Sequence, residues 1–339
     1  MAIPAVIVVV PVGVIFFLSG LIVNFIQIEL YTDTGTFQLM GKEHALLICN
    51  HRSDIDWLVG WVLAQRSSCL GSALTIIKSS AKLLPIIGWS MWFSDYVFLE
   101  RNWAKDEETL KSGFKQLEDF PMPFWLALFV EGTRFTQAKL ELAQTYAASK
   151  GLPVPRNVLI PRTKGFVSAV YHMRSFVPAI YDCTLAVSRT QPSLTMLRMF
   201  RGQTFVINIQ IKRHLMQELP ETFDGISQWC KDVFVTKDAM LEKYYTTDAF
   251  GELEYHDIGR PKRSLIVVIC WSCLLLFGII KLFQWSSVLA SWEVIVFAAT
   301  FLVIVTIVMQ ILIYSSESKH STPPKVSQIS DSTREKLLG

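Results

Sequence analysis

Three long apolar runs constrain this chain more than any other feature. Ala2–Ile28 carries almost no charge, and Ser264–Phe283 and Val288–Tyr314 follow each other near the other end. About 20 apolar residues suffice to cross a bilayer. Residues 1–28 are therefore expected to form an N-terminal membrane segment, spanning or lying in one leaflet, and 264–283 and 288–314 two transmembrane helices. Trp285 and Trp292 flank the short connection between the last two runs, where indole rings favour the interface, so the pair reads as a hairpin. Arg260, Lys262 and Arg263 precede it and Lys319 and Lys325 follow it, which places both flanks in the cytosol. The polar stretch 315–339 reads as a disordered cytosolic tail. Composition agrees with a membrane chain: 339 residues, 51% hydrophobic, mean hydropathy +0.36. The net charge of +3 is near balance and, with no nucleic-acid motif, argues against a nucleic-acid partner. Six scattered cysteines suit a reducing compartment, and Cys270-x-x-Cys273 has no ligand companions, so no metal is expected.

Residues 29–44 read as a linker, and 45–258 as one α/β domain. Strands are expected at Ala45–Cys49, Leu74–Ile77, Val97–Leu99, Phe124–Val130, Val158–Ile160, Phe176–Tyr181 and Phe205–Lys212. In the last, Ile207, Ile209 and Ile211 alternate with Asn208, Gln210 and Lys212, the period of a half-exposed strand. Helical patterns lie around Asp106–Leu117, Thr136–Lys150, Thr163–His172 and Phe223–Tyr244. Strands alternating with helices imply a mixed or largely parallel sheet covered by helices.

His51 stands five residues before Asp56 in Asn50-His51-Arg52-Ser53-Asp54-Ile55-Asp56. On one continuous helix, 100° per residue would hold the two apart, so a bend between them is required. Ser53-x-x-Asp56 reads as a helix start, with Ser53 capping and a helix running from Asp54 to Gln65. His51 then lies in a turn after a strand, and Asp56 in the first helical turn can reach back. A carboxylate on one imidazole nitrogen leaves the other as a base. Taken alone, the pair equally suits a capping acid beside a polar turn histidine.

Other strand ends carry cations. Lys78 follows one strand and Arg101 another. Phe124–Val130 runs into Glu131-Gly132-Thr133-Arg134, where Gly132 permits close backbone approach and Arg134 offers a fork for phosphate oxygens. These cations either converge on one phosphate or are simply solvated, Arg134 as the surface partner of Glu131. Ile160-Pro161-Arg162-Thr163-Lys164-Gly165 and Val177-Pro178-Ala179 repeat the strand-and-turn pattern.

Together, Asn50-His51-x4-Asp56, Phe98-Leu99-Glu100-Arg101, Glu131-Gly132-Thr133-Arg134, Ile160-Pro161 with Lys164-Gly165, and Val177-Pro178-Ala179 stand in the order and approximate spacing of the glycerolipid acyltransferases. The chain resembles that family, in particular its plant endoplasmic-reticulum 1-acylglycerol-3-phosphate branch. The resemblance implies acyl transfer from acyl-CoA to the sn-2 hydroxyl of lysophosphatidate, producing phosphatidate for phospholipid and triacylglycerol synthesis. It implies His51 and Asp56 as the catalytic pair. It assigns the acceptor phosphate to Lys78, Arg101 and Arg134, and substrate binding also to Glu131, Gly132 and Thr133. Acyl-CoA is a co-substrate, and no bound cofactor or metal is needed because a thioester is already activated. A multi-pass endoplasmic-reticulum membrane protein with its catalytic domain facing the cytosol follows. One departure is expected to matter. A further apolar helix-forming segment usually precedes the domain, and only about 20 residues separate the first apolar run from His51 here, too few for more than a linker and one strand. Alternatives are another lysophospholipid acceptor or a non-catalytic shortened membrane form. A serine lipid hydrolase would need a G-x-S-x-G elbow, and the chain has none.

Overall fold

The structure, a computed structural model, describes residues 26–83, 91–92, 96–100, 102–251, 253–259, 262–285, and single positions at 296, 300, 303, 304, 307, 308 and 311. Residues 1–25 of the expected N-terminal segment, Arg101, most of 288–314 and the tail 315–339 lie outside the described residues. Two compact units are distinguished. One takes residues 28–193 and 206–258; the other takes 194–205 and 259–321 with the N-terminal 27.

Eight strands form one mixed sheet in the order β4-β3-β5-β2-β6-β7-β1-β8. They are β1 (Ile26–Tyr31), β2 (Ala45–Cys49), β3 (Ala73–Lys78), β4 (Val97–Leu99), β5 (Trp125–Leu128), β6 (Ala179–Ala186), β7 (Phe205–Leu215) and β8 (Tyr255–His256). β4, β3, β5, β2 and β6 run parallel, and β7 is antiparallel to β6. The helices, in chain order, are α1 (Thr34–Leu39), α2 (Asp56–Arg66), α3 (Trp103–Gln116), α4 (Gln137–Lys150), α5 (Thr163–Met173), α6 (Met196–Phe200), α7 (Phe223–Thr247) and α8 (Lys262–Trp285).

Handedness assigns these helices to faces. The connection β2–α2–β3 crosses the sheet in one direction, while β4–α3–β5 and β5–α4–α5–β6 cross in the other. Right-handed crossovers therefore put α2 on one face and α3 and α5 on the opposite one. Packing agrees. Leu46, Ile48, Leu74, Leu126, Leu128 and Ile180 point to the face covered by Phe114 of α3, Phe166 and Val170 of α5, and Ile226, Phe234 and Leu241 of α7. Alternate residues, Leu47, Cys49, Ala127 and Phe129, face α2. Strands buried on both faces are apolar without alternation, as Ala45–Cys49 is throughout.

Three expectations need correction. Residues 29–44 are no plain linker, because they complete β1 and hold α1, capped by Asp33 through Thr36 N at 2.8 Å. Val158–Ile160 forms no strand. Asp238 takes the amides of Asn157 and Val158 and Glu131 takes that of Leu159, so these groups do not build a ladder. The sixth strand starts at Ala179 rather than Phe176 and extends to Ala186. The transmembrane part of the expected architecture is not carried by the described residues, among which no helix is long and apolar enough to cross a membrane. The expected helix 264–283 falls within α8, whose side chains are described without a break only over 265–278.

Candidate active site

The parallel strands deliver their following loops to one edge of the sheet, the carboxyl edge, where open α/β folds place ligands. β2 brings Asn50 and His51 there, β5 brings Glu131–Arg134, and β3 ends on Lys78. Register fixes the neighbours: Ile48 lies beside Leu128 and beside Asp182.

Asn50 is fully buried. Its Nδ2 donates to the Leu185 carbonyl at 2.9 Å and its Oδ1 accepts from the Leu185 amide at 2.8 Å. The side chain stands in for a backbone partner just past the β2–β6 ladder and fixes where the chain leaves the sheet. The His51 backbone is then held on both sides. Its amide donates to Glu131 Oε1 at 2.9 Å, and its carbonyl accepts from the Phe135 amide at 2.7 Å.

Residues 51–55 fold around the Asp56 carboxylate. Asp56 Oδ2 accepts from His51 Nδ1 at 2.8 Å, from the Arg52 amide at 2.7 Å and from the Ser53 amide at 2.9 Å. Ser53 Oγ donates to Oδ1 at 2.5 Å. This bend is what the five-residue spacing required. The helix α2 starts at Asp56, not Asp54, and Ser53 does not cap it. Its hydroxyl accepts from Ile55 N at 3.3 Å and serves the carboxylate instead. With Asp56 accepting, His51 Nδ1 carries the proton and Nε2 is the free lone pair. The imidazole packs against Phe129, centroids 4.6 Å apart, and its side chain is 26% exposed.

Glu131 is buried, with Oε2 accepting from the Leu159 amide at 3.1 Å. Burial pushes its carboxyl up to about 8, against the opposing pull of the two backbone amides and the Lys237 charge. It therefore ties the His51 turn to the 158–160 segment, and no Glu131–Arg134 ion pair exists among the described residues. Gly132 has φ +66°, and a Cβ there would meet Arg162 Cδ at 2.7 Å; the group that approaches this backbone is the Arg162 side chain. Thr133 Oγ1 and the Arg134 carbonyl both accept from Lys139 Nζ, at 2.7 and 2.9 Å. The side chains of Arg134 and Lys78 have no hydrogen-bond or ion-pair partner among the described residues. Strand spacing puts the end of β3, two strands from β2, about 10 Å from the His51 turn.

Sequence reasoning missed Lys237. It is fully buried on α7, paired with Asp182 Oδ1 at 2.6 Å, and donates to the carbonyls of Cys183 at 2.6 Å and Ile48 at 3.5 Å. It thus ties α7 to the carboxyl ends of β2 and β6, the strand residues just before His51. A signal was available. Ile226, Cys230, Phe234, Lys237, Leu241 and Tyr244 form the buried stripe of α7, and a lysine on an apolar stripe requires a buried partner.

On the α2 face, next to Asp56, lies an apolar cavity of about 60 Å³ bordered by Cys49, Trp57, Trp61, Phe129 and Leu185. A base with a free nitrogen beside apolar space and unpaired cations can deprotonate a hydroxyl on a molecule that is both lipid and anion.

Comparison with known proteins assigns the family. The acyltransferase family profile matches residues 25–188 and the acyltransferase C-terminus profile 198–271. The chain is 61% identical to 1-acyl-sn-glycerol-3-phosphate acyltransferase 3 of Arabidopsis thaliana, over 96% of this chain and 97% of the relative. It is 56% identical to 1-acyl-sn-glycerol-3-phosphate acyltransferase 2 of Brassica napus, over 94% and 93%. The mouse delta enzyme of that name is 36% identical over 74% of this chain and 66% of its own length. The Arabidopsis alignment runs over 366 residues against a chain of 339, so part of that relative faces gaps in this chain. With both profiles matched and these identities over nearly the whole length, the chain belongs to the glycerolipid acyltransferase family and is similar to its plant 1-acyl-sn-glycerol-3-phosphate acyltransferases.

Proposed function

We propose that the chain transfers an acyl group from acyl-CoA to the sn-2 hydroxyl of 1-acyl-sn-glycerol-3-phosphate, giving phosphatidate. The observation that carries this reading is the His51 Nδ1–Asp56 Oδ2 contact of 2.8 Å at the carboxyl edge, which leaves Nε2 as a base. His51 Nε2 takes the proton as the hydroxyl oxygen attacks the thioester carbonyl, and the thiolate of coenzyme A leaves. Asp56 orients the ring and stabilises the imidazolium. Glu131 acts on the reaction through the His51 backbone. Arg134, Lys78 and Arg101 receive the acceptor phosphate, and the apolar cavity beside Asp56 suits acyl chain.

The same reading places the protein in the endoplasmic reticulum membrane with the catalytic domain toward the cytosol, where acyl-CoA is available. Exposed Leu265, Ile266, Val267, Leu274, Leu276 and Phe277 on α8 support contact with lipid. Purified full-length protein, incubated with labelled acyl-CoA and a panel of lysophospholipids, tests the function. Lysophosphatidate should be the preferred acceptor, and His51→Ala should lower turnover about 10²–10⁴-fold. A variant retaining a tenth of wild-type turnover, or preference for another lysophospholipid, refutes the corresponding part. Protease digestion of sealed microsomes tests the topology: the catalytic domain should be cleaved, and its protection would overturn the cytosolic orientation.

A further inference from the structure

A second pair of cations lies at the same edge of the sheet. Arg52 leaves β2 next to His51 itself, and Arg189 follows β6, the neighbour of β2 on the side away from β5 and β3, so both reach the carboxyl edge. Both guanidinium groups lie over one ring. The Arg52 guanidinium carbon lies 5.2 Å from the Tyr245 centroid and that of Arg189 lies 4.8 Å from it. The two are therefore no further apart than the sum of those distances. The Arg52 side chain also lies 4.8 Å from the Phe135 ring and donates to the Asn157 carbonyl at 3.0 Å.

Two like charges held near one ring repel each other, and an anion placed between them turns that repulsion into attraction to both. Among the described residues neither arginine has a carboxylate partner. The acids close by in the chain are otherwise engaged. Glu242 accepts from Asn157 Nδ2 at 2.8 Å and faces Arg156 at 3.9 Å, while Asp248 accepts from Ser188 Oγ at 3.0 Å. A guanidinium held over a ring by its charge still has N–H groups to offer to oxygens, and its planar fork suits phosphate.

We propose that Arg52 and Arg189, held on Tyr245, bind the phosphates of the coenzyme A portion of the acyl donor. This rests on the acyl-transfer reading. Two substrates must meet at His51, and each carries phosphate. The acceptor phosphate lies only a few bonds from the attacking hydroxyl and is served by Arg134 and Lys78 at the ends of β5 and β3. The donor phosphates lie at the far end of the pantetheine arm. The chain Arg52–Tyr245–Arg189 leads away from His51 towards β6 and the last turn of α7, as that longer reach demands.

The test uses full-length protein and the series Arg189→Lys, Arg189→Ala and Arg189→Glu; Arg189 is exposed, so the fold is spared. One charge-assisted contact corresponds to about a tenfold change in binding. The KM for acyl-CoA should rise about tenfold in Arg189→Ala, more in Arg189→Glu and less in Arg189→Lys, with the KM for lysophosphatidate within twofold of wild type. Arg156→Ala, an exposed arginine outside the pair, should move neither. Calorimetric titration with coenzyme A, which needs no turnover, should show the same order. An acyl-CoA KM indifferent to the charge at 189 overturns the site, as does a rise confined to the lysophosphatidate KM. If wild type binds coenzyme A in an Arg189-dependent manner yet transfers nothing, the acyl-transfer reading fails and the site stands. If transfer persists with both KM values unchanged across the series, the site fails and the acyl-transfer reading stands.

Discussion

Glu131→Gln separates a carboxyl group that holds the His51 turn from one that merely fills space. The wild-type side chain accepts from two backbone amides, at 2.9 and 3.1 Å, inside the protein. Glutamine keeps the shape but offers one acceptor oxygen, so one amide must face an NH₂ group. A buried donor left without an acceptor costs about 1–3 kcal/mol. A second consequence is a pH dependence. Burial raises the carboxyl from its ordinary 4.5 to about 8. The folded chain therefore keeps a proton that the unfolded chain releases near pH 4.5. The proton-linked stability is fully present below pH 4.5, falls as pH rises, and is gone above about 8. The slope is at most about 1.4 kcal/mol per pH unit, and the whole window at most about 5 kcal/mol. Glutamine does not titrate, so the wild-type advantage over Glu131→Gln should shrink steadily between pH 5 and 8. Chemical unfolding of the full chain in mild detergent, followed by tryptophan fluorescence at each pH, measures this difference. An advantage that stays constant across that range refutes the assignment of a buried, proton-holding carboxyl to Glu131. Unchanged turnover in Glu131→Gln would refute its hold on His51.

Lys237→Met leaves Asp182 buried without its partner and should cost about 3–5 kcal/mol in unfolding free energy, while adding Asp182→Leu should restore most of it; a single variant as stable as wild type refutes that tie. Arg134→Lys should raise the KM for lysophosphatidate and barely move the melting temperature, because lysine cannot reproduce a bidentate phosphate contact; kinetics identical to wild type exclude Arg134 from the acceptor site. Gly132→Ala puts a side chain at φ +66° and 2.7 Å from Arg162 Cδ, and should cost about 1–2 kcal/mol, read from the shift in denaturation midpoint.

Local pattern carried much of the fold. Ala45–Cys49 and Val97–Leu99 occupy the spans their apolar runs indicated, and α5 starts at Thr163 as its periodicity indicates. Period-2 alternation marked Phe205–Lys212, which extends to Leu215, and the α7 helix runs three residues past Tyr244. Edges were blurred where side chains compete for backbone amides, as at Val158–Ile160. β1 was hidden at the end of an apolar run, since a run of that composition does not announce where it turns into a strand.

The sequence by itself marked His51 and Asp56 as a candidate pair, because a five-residue spacing with a serine between them requires a bend; the hydrogen bonds that close that bend came from the structure. It also determined that cations follow several strand ends, and the ordered motifs named the family. Which of those cations are neighbours is a matter of strand order, and only tertiary structure decides that. β5 inserts between β2 and β3 from a distant part of the chain, bringing Glu131 under the His51 amide. The partners of Lys237 and the placement of Arg52 and Arg189 over Tyr245 likewise join residues far apart in the chain. Such contacts leave no periodic trace, because they are set by how sheets and helices pack rather than by what any one segment prefers.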